Sequence, residues 1–209
     1  MLAAMLCHKR IIAIVVLISS LAAIIPILYL IHNSSTALAE PSITKDSNLK
    51  VETVVTGLSS PTSMAFIDNN NILVLEKGGQ VRLVSNGVLV AKPVLQVSVA
   101  TESERGLLGI TIMNSSNAAT KSGNSITDNN NNSNRKYVFL YYTESKDGQL
   151  RNRIYKYNWN EQNQSLINPA LILDLPALPG PNHDGGKLVI GPDNYLYAVI
   201  GDLNHRGKR

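Results

Sequence analysis

Hydrophobic and polar positions follow three different patterns along the chain, and each predicts a different kind of structure. Residues Ile11 to Ile31 are uncharged and almost wholly apolar, behind a short basic stretch that ends in Lys9-Arg10. As a helix rising 1.5 Å per residue, such a run reaches roughly the 30 Å of a bilayer's hydrocarbon core. Basic residues ahead of it favour a cytoplasmic N-terminus and a chain that emerges on the far side. Two readings stay open. The segment is an uncleaved signal anchor, or a signal peptide cut after Ala37-Leu38-Ala39, with Pro26 shortening its helix. Residues 1–31 are therefore expected as a leader or transmembrane helix. Residues 32–50, rich in Ser, Thr, Asn and Pro without periodicity, are expected as a flexible spacer.

From Val51 the pattern becomes one of short β-type runs. Val51–Thr56 alternates weakly. Thr62–Ile67, Ile72–Glu76, Gln80–Val84 and Val88–Leu95 follow, separated by Asp68-Asn69-Asn70-Asn71, Lys77-Gly78-Gly79 and Ser85-Asn86-Gly87. Gly and Asn tolerate positive φ, so these separators are turns. A second set of four runs spans Gly106–Met113, Tyr137–Glu144, Leu150–Asn158 and Leu166–Leu173. Its first connection, Asn114–Lys136, is an Asn/Ser-rich stretch expected to be a disordered surface excursion. A third set begins with Leu188–Ile190, a Gly191–Asn194 turn and Tyr195–Ile200. Recurring four-strand units joined by tight turns predict an all-β chain, a β-propeller with one unit per blade, over residues 51–209. A β-sandwich is the alternative. Two blades and part of a third cannot close a ring, so the sequence is expected to be a piece of a longer protein.

Composition excludes several functions. The sole cysteine is Cys7, so the β region has no thiol nucleophile and no disulfide. There is no Cys/His cluster with zinc-site spacing. The net charge of +4 comes from scattered Lys and Arg, which argues against nucleic acid as a partner.

The candidate chemistry lies in the last third. A Pro/Gly-rich loop, Leu175 to Asn182, delivers His183, and the second strand of the following hairpin ends at Gly201-Asp202. Antiparallel pairing brings His183 and Asp202 to one rim of the sheet. A histidine beside a carboxylate is suited to act as a general base, because the carboxylate fixes the tautomer and stabilises the imidazolium. His183, Asp202 and His205 also form a candidate metal set. Glu104-Arg105 reads as a surface ion pair, Asp174 and Asp184 as turn residues, and Arg151 and Arg153 as solvent-facing. Trp159 and Tyr137, Tyr141, Tyr142, Tyr155 and Tyr157 read as packing between strands.

Three stretches resemble the glucose/sorbosone dehydrogenases, the soluble PQQ-dependent aldose sugar dehydrogenases. They are Gly57-Leu58-Ser59-Ser60-Pro61-Thr62-Ser63-Met64-Ala65-Phe66 with Leu73 to Gly79, then Glu104-Arg105-Gly106-Leu107-Leu108-Gly109-Ile110, then Asn182-His183-Asp184-Gly185-Gly186-Lys187-Leu188 continuing through Gly191-Pro192-Asp193 to Gly201-Asp202. The resemblance spans about Val51 to Asp202 and implies a six-bladed propeller, of which about two and a half blades are present. It implies His183 as catalytic base, Asp202 as its supporting carboxylate, and Glu104 and Asn182 as residues near the sugar and the quinone. The implied reaction oxidises an aldose at C1 to the lactone, with PQQ and Ca²⁺ as cofactors and an external electron acceptor as partner. In that family basic residues of later blades hold the cofactor, so this stretch alone is expected to be inactive. No metal ligand is assigned within it. The location implied is extracytoplasmic, membrane-anchored or secreted. An extracytoplasmic propeller that binds without redox chemistry is the alternative function.

Overall fold

The computed structural model describes residues 48–115 and 135–205, together with residue 46. The apolar run 11–31 and most of the connection 114–136 lie outside the described residues, as do the expectations attached to them. The chain divides into residues 1–52 and 53–209. All the named elements lie in the second unit, and all are strands.

The first sheet contains β1 (Pro61–Phe66), β2 (Asn71–Glu76), β3 (Gln80–Ser85), β4 (Val88–Leu89) and β5 (Leu95–Gln96). It is antiparallel in the order β1-β2-β3-β4, with β5 also on β3. The second sheet is a four-strand meander of β6 (Leu107–Asn114), β7 (Lys136–Lys146), β8 (Gln149–Asn160) and β9 (Ser165–Pro176). The third is the hairpin of β10 (Gly185–Ile190) and β11 (Leu196–Ile200). Turn chemistry explains the meanders. Asn86-Gly87 and Asp147-Gly148 both have positive φ at both positions, the geometry of a two-residue hairpin turn whose twist matches that of the flanking strands.

The run Val88–Leu95, expected as one strand, is two. Pro93 has no N–H to give to the ladder, and Ala91–Pro93 loops out. Pairing resumes on either side, with the Val90 N–H donating to Leu83 O and the Val94 N–H to Val81 O, both at 2.9 Å. The Arg82 guanidinium donates to the carbonyl of Val90 in the opened step. Val51–Thr56 forms no strand.

Alternation along β7 sets the layering. Val138, Leu140 and Tyr142 point into a core shared with Leu73, Leu75, Val81 and Leu83 of the first sheet. Phe139 and Tyr141 point the other way, onto Ile154 and Leu188, the latter from the third sheet. The middle sheet is thus covered on both faces, which explains why residues 137–142 read as an unbroken apolar run rather than an alternating one. Each fully buried Leu or Val contributes about 1.5–3 kcal/mol. The tyrosines behave as sequence packing predicts: Tyr141, Tyr142 and Tyr157 are buried, and Tyr142 stacks on Tyr155 at 5.4 Å.

The sheets approach closely at glycines. A Cβ on Gly109 of β6 would lie 1.8 Å from the Gly186 carbonyl oxygen of β10. No other residue fits there, and this contact seats the third sheet against the second. At the opposite end of β6, Ser115 and Arg135 close the neck of the connection to β7. The Ser115 N–H donates to Arg135 O at 2.8 Å, and the Arg135 N–H to Ser115 Oγ at 3.0 Å.

Candidate functional site

Three loops meet at one rim. The segment 97–106 leads from β5 into β6, the segment 177–184 leads from β9 into β10, and residues 201–205 follow β11. Their backbones are tied together. The Glu104 N–H donates to Pro181 O at 3.1 Å, the Gly180 N–H to Leu203 O at 3.1 Å, and the Leu203 N–H to His183 O at 3.4 Å. Gly201 lies so near that a Cβ there would sit 1.6 Å from the His183 carbonyl oxygen. The loop is therefore held against the end of β11 at a separation that only glycine permits.

His183 and Asp202 meet. The imidazole Nδ1 and Asp202 Oδ1 are 2.7 Å apart. The carboxylate accepts, so Nδ1 carries the proton and the neutral ring has its lone pair at Nε2. The two side chains are 59% and 48% exposed, enough for a solute to reach them. The Asp202 hydrogen bond, with the charges of Asp202, Glu104 and Asp184, raises the imidazole pKa above its ordinary value. His183 itself has φ of 60°, a left-handed conformation that costs a side-chain-bearing residue of order 1–3 kcal/mol and clusters at functional sites.

Glu104 and Asn182 lie in the same cluster. Glu104 Oε2 accepts the His183 backbone N–H at 2.6 Å. Asn182 Oδ1 accepts from Ser103 Oγ, and its backbone N–H donates to Asn204 Oδ1 at 3.0 Å. All four candidate residues are thus within one hydrogen-bonded constellation. His205 is described and exposed, but among the described residues no group of three His, Cys, Asp or Glu side chains is placed to hold a metal ion.

Other readings are corrected. Arg105 is not half of a surface pair with Glu104. Its side chain is buried, 3% exposed as a residue, and its guanidinium donates to Ala177 O at 2.6 Å, Gly180 O at 3.2 Å and Glu102 Oε2 at 3.2 Å. Asp184 is no surface turn residue. It is fully buried, and its Oδ1 accepts from Asn152 Nδ2 at 3.1 Å, while Oδ2 has no partner among the described residues. Burial pushes its pKa up, against the opposing Asn152 hydrogen bond. Arg151 and Arg153 are not simply solvent-facing, since both donate to Asp174 Oδ1, at 2.8 and 3.0 Å. Arg151 and Arg153 together hold the Asp174 carboxyl down at about 2.

Sequence reasoning missed Ser103, Asn204, Arg105 and Asp184. A signal existed for Arg105, a lone cation directly before the apolar Gly106–Ile110 run. None existed for Ser103, whose role depends on a loop 79 residues away in sequence.

Chemically, the arrangement offers a tautomer-fixed imidazole, two carboxylates and an amide on an open polar surface. Comparison with known proteins gives the family. The glucose/sorbosone dehydrogenase family profile matches residues 58–209. Quinoprotein glucose dehydrogenase B of Acinetobacter calcoaceticus is 27% identical over 169 residues, covering 76% of this chain and 32% of that protein. The crystal structure of an oxidoreductase (glucose dehydrogenase) from Thermus thermophilus superposes with a TM-score of 0.57 at 29% identity, over 74% of this chain and 41% of that one. The PQQ-bound aldose sugar dehydrogenase of Streptomyces coelicolor gives 0.55 at 27% identity, over 75% and 42%. The chain spans about a third of the length of the curated relatives it matches. With its all-β sheets like those of these sugar dehydrogenases and a family match over most of its length, the chain belongs to the glucose/sorbosone dehydrogenase family.

Proposed function

We propose that this chain carries the proton-accepting part of a PQQ-dependent aldose dehydrogenase that oxidises the sugar at C1 to the lactone. The observation that carries the reading is the 2.7 Å contact between His183 Nδ1 and Asp202 Oδ1 on an exposed rim. With Nδ1–H directed at the carboxylate, Nε2 is the free base. It takes the proton of the C1 hydroxyl as the carbon–oxygen double bond forms, and Asp202 stabilises the imidazolium that results. When bound, the quinone supplies the acceptor for the C1 hydride. Glu104 holds the His183 backbone and turns its carboxylate surface to sugar hydroxyls.

The donor set fits the quinone only in part. The Asn182 amide nitrogen, not used in the bond to Ser103, suits a quinone oxygen. The carboxylates of Glu104 and Asp202 do not suit a polyanionic cofactor, and the guanidinium of Arg105 is taken up by carbonyls. Cations for the PQQ carboxylates, and the Ca²⁺ ligands, are assigned to further blades of a six-bladed ring, of which this chain supplies about two and a half. The activity, an external electron acceptor and an extracytoplasmic location are proposed for that whole protein, tethered or secreted through the apolar segment 11–31.

The test is single-turnover reduction of bound PQQ by an aldose in the full-length protein loaded with PQQ and Ca²⁺. His183→Ala is expected to slow reduction by about 10²- to 10⁴-fold, the range for loss of a general base. Sugar binding should change less, because the base acts chiefly in the transition state. An unchanged rate in His183→Ala removes the assignment. No reduction even by the unaltered protein points instead to a binding module.

A further inference from the structure

We propose that Arg105 is a positioning residue for His183, its buried guanidinium fastening the loop between β9 and β10 so that the imidazole meets Asp202. The inference rests on the assignment of His183 as the base. Arg105 lies at the foot of β6, yet two of the three hydrogen bonds of its guanidinium cross to carbonyls 72 and 75 residues away, Ala177 O and Gly180 O. The third goes to Glu102, a carboxylate that is itself 72% exposed. Nε has no partner among the described residues.

A buried cation whose carboxylate partners are the exposed Glu102 and, through space, the buried Asp184 is a poor device for stability, since apolar residues of similar volume serve as well or better. Its geometry is what stands out. Nη2 alone donates to both carbonyls, three residues apart, while Nη1 takes Glu102, and the rigid plane of the guanidinium fixes the relation between these partners, which a freely rotating ammonium does not. Glu104, the neighbouring residue, grips the same loop at Pro181 O through its N–H and at the His183 N–H through its carboxylate. Residues 104 and 105 therefore hold the loop at four points, Ala177, Gly180, Pro181 and His183. From the other side Leu203 N–H binds His183 O. The left-handed backbone of His183 is over-determined by these contacts, as a strained residue must be. Arg105 touches neither Asp202 nor any reacting atom in this arrangement and acts only through the loop. A displacement of about 1 Å at a catalytic group can cost roughly 10²-fold in rate.

The experiment uses the full-length protein loaded with PQQ and Ca²⁺, with Arg105→Gln and Arg105→Lys. Two quantities are read: single-turnover PQQ reduction at saturating aldose, and the His183 imidazole titration by NMR of ¹³C-labelled histidine. In Arg105→Gln, reduction is expected to fall about 10- to 100-fold, with little change in the sugar concentration for half saturation. The His183 titration should move to lower pH, because a displaced imidazole loses the Asp202 bond. Mere removal of a positive charge would move it to higher pH, so the sign separates positioning from electrostatics. Arg105→Lys should recover part of both. A folded Arg105→Gln protein whose imidazole titration and rate match the unaltered protein overturns the proposal, as does a rate loss that only tracks the folded fraction by near-ultraviolet circular dichroism. If Arg105→Gln fails to fold, Arg105→Lys carries the test, and an unshifted titration there overturns it. Normal turnover by His183→Ala would refute the base assignment alone, and the imidazole titration would still decide the role of Arg105.

Discussion

In the role proposed for His183 two demands oppose each other. A base must be neutral to accept a proton, yet Asp202 and the acidic neighbours raise the imidazole pKa. The reaction should therefore fail as pH falls through a value above that of an ordinary histidine. Asp202→Asn removes the strongest cause of that rise. The acid limb of the pH profile for PQQ reduction is expected to move to lower pH, while the plateau rate drops because the ring is less well oriented. The loss should be smaller than in His183→Ala, since the imidazole remains. A limb that stays in place in Asp202→Asn would show that another group controls it. The residue scale is also where the sequence is most informative. Asn182, His183 and Asp202 sit in motif-like surroundings, and hairpin pairing alone brings two of them to one rim. Asp184 is not legible in the same way, because its burial is set by packing against distant segments, and nothing local in sequence records that; Arg105 offers only its place directly before the apolar Gly106–Ile110 run.

Among the elements, β7 and β8 carry a polar pair inside an apolar interface. Thr143 and Asn152 face each other in the ladder, Thr143 Oγ1 donates to Asn152 Oδ1 at 2.7 Å, and Asn152 hands the chain on to Asp184. All three are buried. The Tyr141 hydroxyl adds a bond to the Asp184 carbonyl at 2.7 Å, so the residue after His183 is anchored to the middle sheet by side chain and backbone together. Asn152→Ala strands Thr143 Oγ1 and Asp184 Oδ1. Each buried orphan costs about 1–3 kcal/mol, and a denaturation midpoint lowered without a change in slope is the expected result. No measurable loss would mean that water replaces the amide. The strands themselves were legible from turn residues and apolar runs. Their lengths were not: β7 and β8 continue through polar residues to Lys146 and Gln149, because the Asp147-Gly148 turn and the backbone ladder extend the hairpin beyond its apolar stretch.

For the molecule as a whole, repetition of four-strand units was legible, and so was the start of a third unit at Lys187, two residues inside the strand that begins at Gly185. The way the units stack was only implicit, in a β7 run too apolar to have a wet face. Met64 and Phe66 on β1, and Tyr195 with Val189, Tyr197 and Val199 on the β10–β11 hairpin, remain exposed, surfaces of the kind that further blades cover in the proposed ring. Export is proposed from the sequence pattern of Lys9-Arg10 ahead of the apolar segment. A reporter that works only in the cytoplasm, fused at Arg209, should be silent, and a strong signal would place Val51 onward on the wrong side of the membrane for this proposal.

The neck formed by Ser115 and Arg135 has its own consequence. It closes the connection between β6 and β7 at the end of the sheet away from Glu104 and His183. Because the two ends of that connection are bound to each other, the pairing of β6 with β7 is fixed at its base, and the rim at Glu104 and His183 stands at the other end of the same strands. Ser115→Ala, which removes the side-chain half of the neck, is therefore expected to lower stability by about 0.5–1.5 kcal/mol in a denaturant titration while leaving the rate at the rim unchanged.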